Sequence, residues 1–152
     1  MEQVVMDKFQ MIGIEVRTSN QNGKAAQDIP GLWQRFMSQD VFQNIPNKTD
    51  EAKVYCVYME YEGDHNAPYT TFIGCQVDSI DQIPEGMVAK NIRGGNYQKF
   101  HRNGKLSEIV IDQWMKIWDA GLARTYQEDY EVYENIAQDP ETAEVDIFVG
   151  VE

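Results

Sequence analysis

The sequence is poor in cysteine, poor in basic residues and free of long apolar runs, and each shortage removes a class of function. Only Cys56 and Cys75 are present among 152 residues, inside the apolar runs "VYCVYM" and "FIGCQV". Without paired Cys/His spacing they do not point to zinc, and buried reduced thiols packing as small hydrophobes are the expected state. Lys and Arg number 13 against 25 Asp and Glu, giving a net charge of −12. The basic residues are scattered, whereas a nucleic-acid surface needs clustered cations against phosphates, so direct nucleic-acid binding is not expected. No stretch approaches the roughly 18 uninterrupted apolar residues of a membrane span. The opening "MEQVVMDKFQ" also lacks a basic segment followed by an apolar one, the mark of an export signal. A cytoplasmic protein with no membrane attachment, no metal and no cofactor is the expectation.

What the chain does contain is aromatic residues: three tryptophans, eight tyrosines and six phenylalanines. A single domain over residues 1–152 is the simplest division, long enough to bury roughly 70% of the surface an unfolded chain exposes. The segment Val4 to Val16, "VVMDKFQMIGIEV", reads as a strand with Gly13 as a bulge. After the polar loop "RTSNQNGKAAQ", "DIPGLWQRFMSQD" places Pro30 in a first helical turn and Leu32, Trp33, Phe36 and Met37 on one apolar face. "KVYCVYMEY" and "PYTTFIGCQV" are rich in β-formers and flank the turn-like "EGDHNA", which predicts a hairpin.

The second half repeats this order. "MVAKNI" reads as a strand, and a glycine-containing loop follows it. Residues from about Lys105 to Ala120 then form a helix, with Leu106, Ile109, Val110, Trp114, Ile117 and Trp118 on one face and Gly121 as its stop. "DYEVYENI" and "AEVDIFVGV" close the chain around the turn signal "QDPET". Two β-α-β-β units, about 1–80 and 85–152, imply an internal duplication and an α+β architecture: an antiparallel sheet covered by two main helices.

Taken in order, "IGIEVRTSN", "IPGLWQRF", "VYCVYMEYEGDHNAPYTTFIGCQV", "GGNYQKFHRNG" and "DYEVYE" resemble the GyrI-like small-molecule-binding domain. That domain is the effector-binding module of some AraC- and MerR-type regulators and also occurs as free-standing proteins. The resemblance runs over nearly the whole chain and implies a ligand cleft between the two halves. In multidrug-sensing members an acidic residue on the late strand meets lipophilic cations inside an aromatic pocket, and the matching position is Glu131. The chain has no residues to spare for a helix-turn-helix, so a DNA-binding transcription factor is not expected. The resemblance leaves three functions open. The first is binding of a lipophilic, cationic or electrophilic small molecule; the second is hydrolysis of cyclopropane-containing genotoxic natural products. The third is modulation of a protein partner such as gyrase or a separate regulator, for which the acidic "QEDYEVYENIAQDPETAE" is the candidate surface.

Strand alternation puts Asp129, Glu131 and Tyr133 on one face and Tyr130, Val132 and Glu134 on the other. Asp129 and Glu134 lie at the ends and can reach water, which leaves the central Glu131 as the carboxylate held inward. An exposed Glu131 on a half-solvated sheet is the plainer alternative. Tyr133, Trp33, Tyr69, Tyr97 and Trp118 are the candidate aromatic walls, although Trp33 and Trp118 on helix faces suit an ordinary core equally well. In an enzyme, Glu131 would act on water and Tyr97 would donate to a developing oxyanion. "RGGNY" matches neither a P-loop nor a dinucleotide fingerprint, and its glycines read as turning backbone. His65 and His101 occur in polar loop contexts as surface histidines.

Overall fold

The computed structural model describes residues 2–64 and 66–152, so His65 lies outside the described residues. The chain runs β1 (Glu2–Met6), β2 (Phe9–Thr18), α1 (Lys24–Ser38), α2 (Val41–Asn44), β3 (Val54–Met59), β4 (Tyr69–Val77) and β5 (Val88–Ile92). It continues through β6 (Gly95–Gly104), α3 (Leu106–Asp119), β7 (Arg124–Tyr133) and β8 (Ala143–Val151). The strands form a sheet of order β1-β6-β8-β7-β3-β4-β2-β5, in which every named pair is antiparallel. This is an α+β fold with two main helices on an antiparallel sheet. β3 and β7 meet at its middle and join the two halves of the chain, with Cys56 opposite Glu131 and Tyr58 opposite Asp129.

Period-two alternation sends side chains from the central strands into two separate cores. On the helix side, Ile12, Ile14, Cys56, Ile73 and Cys75 pack with Leu32 and Phe36 of α1. Val145, Ile147 and Val149 of β8 pack there with Ile109, Trp114 and Ile117 of α3. On the opposite side, Met11, Val57, Phe72, Tyr97, Tyr130, Val132 and Phe148 form a third cluster. Both cysteines are buried and free, and burial pushes the Cys75 thiol up to about 12. Such thiols stay protonated and act as packing groups.

Several sequence expectations need correction. The segment from Val4 to Val16 is two strands, broken at Asp7 and Lys8. Gly13 is not a bulge: it pairs in regular register with Gly74, and an added Cβ would lie 2.1 Å from the Ile73 carbonyl oxygen. Only glycine fits so close a backbone approach. Helix α1 begins at Lys24, six residues ahead of Pro30, so this proline sits inside the helix instead of in its first turn. The glycine-containing segment before α3 is the strand β6, paired with β8 from Tyr97 to Gly104, and His101 is therefore a strand residue bonded to Asp146 at 2.6 Å. Alternating apolar content is weak in "NYQKFHRNG", which is why pattern alone does not mark it as a strand.

Candidate ligand cavity between the two helices

Glu131 reaches the helix side of the sheet because β7 presents it there together with Tyr133, and α3 then crosses above it. The carboxylate is 1% exposed. One oxygen, Oε2, accepts from the Tyr58 hydroxyl and from Trp114 Nε1, each at 2.7 Å. The other, Oε1, accepts from the Tyr133 hydroxyl at 2.5 Å. Three donors from β3, α3 and β7 thus fix one side chain. Burial raises the Glu131 pKa above its ordinary value of 4.5, against the opposing pull of the three donors. In turn loss of water, with the buried carboxylate adding to it, holds the Tyr58 and Tyr133 hydroxyls protonated, so both remain donors.

Above this group lies a cavity of about 710 Å³ between α1 and α3. Tyr58, Tyr69 and Glu131 reach it from the sheet, Ala26 and Pro30 from α1, and Trp114 and Trp118 from α3. The rings form a continuous series, edge-to-face in the first two pairs and tilted in the third. Trp114 and Tyr58 have centroids 5.5 Å apart, Tyr58 and Tyr69 are 6.0 Å apart, and Tyr69 and Tyr61 are 5.5 Å apart. Tyr69 also donates to Asn20 Oδ1 at 2.6 Å, which ties the floor to the chain entering α1. An anionic group enclosed by aromatic rings suits a lipophilic cation, because ring faces and carboxylate attract the same charge.

At one end of the cavity sits an ion pair. The Arg124 and Asp129 side chains, 5% and 0% exposed, meet at 2.8 Å, while Tyr61 donates to Asp129 at 2.6 Å and the Gly150 amide donates at 2.8 Å. Arg124 stacks 4.3 Å above the Tyr126 ring. Between Arg124 and Asp129 the β7 to β8 register shifts, and Tyr126 takes a left-handed φ of 53°. This local irregularity brings a charge pair into the strand that alternation by itself would splay apart. The neighbouring charges cancel, which leaves Glu131 as the uncompensated charge of the cavity.

Of the candidates read from the sequence, Glu131, Tyr69 and Trp118 line the cavity. Tyr133 supports Glu131 from beside it, and Trp33 stands behind Tyr133 with ring centroids 5.0 Å apart. Tyr97 is elsewhere: it packs with Tyr130 and Phe148 in the cluster on the far side of the sheet and donates to the Arg93 carbonyl. The structure therefore does not bring Glu131 and Tyr97 together. Asp129, expected at a wet strand end, is fully buried in the middle of β7. Tyr58, Trp114, Tyr61 and Arg124 were missed. Trp114 was visible as an apolar α3 residue, but its indole N–H toward Glu131 depends on how the helix crosses the sheet. Tyr58 depends on the β3 to β7 register, which pairs it with Asp129, far away in sequence.

Against known proteins, residues 4–151 match the family described as Cass2, integron-associated effector binding protein. The chain belongs to this family. Its GyrI-like resemblance is of the same kind, and the effector-binding family includes relatives in several settings. The chain is 29% identical over 150 residues to YobU of Bacillus subtilis (strain 168), whose name assigns it provisionally to transcriptional regulation, covering 96% of this chain and 94% of YobU. It is similar to the integron cassette protein VCH_CASS2 from the mobile metagenome of Vibrio cholerae, with 25% identity, a TM-score of 0.77 and coverage of 99% and 95%. SAV2435, solved bound to tetraphenylphosphonium, shares the fold at 16% identity with a TM-score of 0.82 and coverage of 99% and 93%. Among the described residues no helix is long and apolar enough to cross a membrane.

Proposed function

We propose that the chain binds lipophilic monocations in the cavity between α1 and α3, with Glu131 as the charge partner and Tyr58, Tyr69, Trp114 and Trp118 as aromatic walls. One observation carries this reading: a carboxylate 1% exposed, held by three donors and facing an aromatic cavity. Burying that charge costs free energy, and an arriving cation offsets part of the cost. The three donors keep the carboxylate oriented in the empty protein, so the site is formed before the ligand arrives. SAV2435, similar in fold, was solved with a lipophilic phosphonium cation. The two halves of the chain, read as pseudo-repeats, each contribute one helix to the walls of this cleft. Sequestration or sensing of such compounds in the cytoplasm is the role that follows.

Hydrolysis with Glu131 and Tyr97 gains no support, because the two residues are on different faces of the sheet. A protein-binding role would rest on acidic surface instead of the cavity and predicts strong weakening by salt. Tryptophan fluorescence titration separates these ideas, since Trp114 and Trp118 line the cavity. Tetraphenylphosphonium is expected to give a saturable change in the wild type and about 30-fold weaker binding in Glu131→Gln, from a Coulomb attraction of about 2–3 kcal/mol at an effective dielectric of about 20. Equal affinity in both proteins would remove Glu131 from the site.

A further inference from the structure

Arg124 lines the same cavity as Glu131, although its charge is already met. It opens β7, and its side chain, 5% exposed, meets Asp129 of the same strand across the register shift. The guanidinium end, and not the aliphatic stem alone, stands at the wall. Its central carbon is 5.8 Å from the centre of the Trp114 ring, and Nη2 donates to the Asp129 oxygen Oδ2 that also accepts from the Tyr61 hydroxyl. Trp114 and Tyr61 are both lining residues. A guanidinium carries five N–H donors, more than one carboxylate oxygen takes up. Among the described residues, the buried Nε has no hydrogen-bond partner. A buried donor left without a partner costs free energy, so the guanidinium favours a ligand that brings an acceptor.

We infer that Arg124 sets the specificity of the cavity by donating to a neutral carbonyl oxygen, so that lipophilic cations bearing a carbonyl are selected over cations that are otherwise hydrocarbon. The inference rests on the cavity being the cation site. Charge decides the kind of acceptor. Asp129 neutralises Arg124 at 2.8 Å, and Glu131 adds a negative charge to the same cavity. An anionic group would gain little from the paired guanidinium and would be repelled by two carboxylates. A neutral carbonyl avoids that repulsion and still accepts an N–H. Trp114 links the two positions: its indole N–H holds Glu131 at 2.7 Å, and its ring lies beside Arg124. A ligand lying along this ring therefore meets the carboxylate and the guanidinium together.

The test is calorimetric titration with two quaternary probes, benzyldimethylphenacylammonium and benzyldimethyl(2-phenylethyl)ammonium, which share a fixed charge and two rings and differ by one C=O in place of CH2. The wild type is expected to bind the phenacyl probe about 10-fold more tightly, the equivalent of one hydrogen bond from a charged donor. Equal affinities would overturn the inference without any variant being made. Arg124→Met combined with Asp129→Asn removes both charges at once and leaves no buried carboxylate unpaired. In it the preference is expected to fall to about twofold or less. Should that pair fail to fold, Arg124→Lys keeps a cation opposite Asp129 without the planar fork of donors, and the preference is expected to fall there too. A tenfold preference retained in either folded variant would overturn the inference by assigning it to another donor. Glu131→Gln reads the cation site separately. Both probes should weaken by the same factor with their ratio kept. No loss for either probe would count against the cation site and take the inference with it, whereas equal probe affinities in the wild type count against Arg124 alone.

Discussion

Glu131 should couple cation binding to proton release, and Tyr133 should set the pH at which it does so. In the empty protein burial raises the Glu131 pKa above 4.5. A bound cation favours the ionised carboxylate, so the complex has a lower Glu131 pKa than the free protein. The sign follows: affinity is full above the raised pKa and falls as pH drops through it, by up to tenfold per pH unit for one carboxylate. Tyr133→Phe keeps the ring near Trp33 and removes one of the three donors to the carboxylate. A hydrogen bond to a charged group is worth about 1.5–3 kcal/mol, so its loss should move the midpoint upward by one to two pH units at about 1.36 kcal/mol per unit. The assay is calorimetric titration with tetraphenylphosphonium, whose charge does not depend on pH, in two buffers of different ionisation heat. Glu131→Gln should show a flat profile and no proton release. A wild-type profile that is equally flat from pH 4 to 8, or a Tyr133→Phe midpoint that stays or falls, would refute the reasoning.

Other consequences concern stability and placement. Asp129→Asn removes one partner of the buried pair with Arg124 and should cost about 3–5 kcal/mol in urea unfolding, since a buried guanidinium is left uncompensated. Gly13→Ala drives a methyl group into the Ile73 carbonyl and should cost about 3 kcal/mol or more, or prevent folding, as read by the same unfolding curve. Tyr97→Phe should leave tetraphenylphosphonium affinity unchanged, because the residue packs on the far side of the sheet. A tenfold loss there would mean that the far cluster shapes the cavity.

The fold was largely legible because its elements carry strong local signals. α3 shows a clear 3.6-residue apolar repeat, and β3 and β4 are dense in β-formers around a turn. β6 escaped because it is polar and partly exposed along much of its length, so its pairing with β1 and β8, not its composition, makes it a strand. Glu131 was readable from alternation combined with the family resemblance. Its partners were less so, since Tyr58 and Trp114 meet it only through the β3 to β7 register and the crossing of α3. Pro30 is instructive in the other direction. A proline near a helix start is normally a boundary signal, and here the helix runs through it, which places the rule-breaking residue in the cavity wall.

A crystal structure of the complex with tetraphenylphosphonium tests the central claim most directly. The account predicts the cation between α1 and α3, its phenyl rings against Tyr58, Tyr69 and Trp114, and its phosphorus within about 6 Å of the nearest ring faces, the range of a cation–π contact. A cation bound on the acidic surface or in the far cluster, with the cavity beside Glu131 empty, would contradict it.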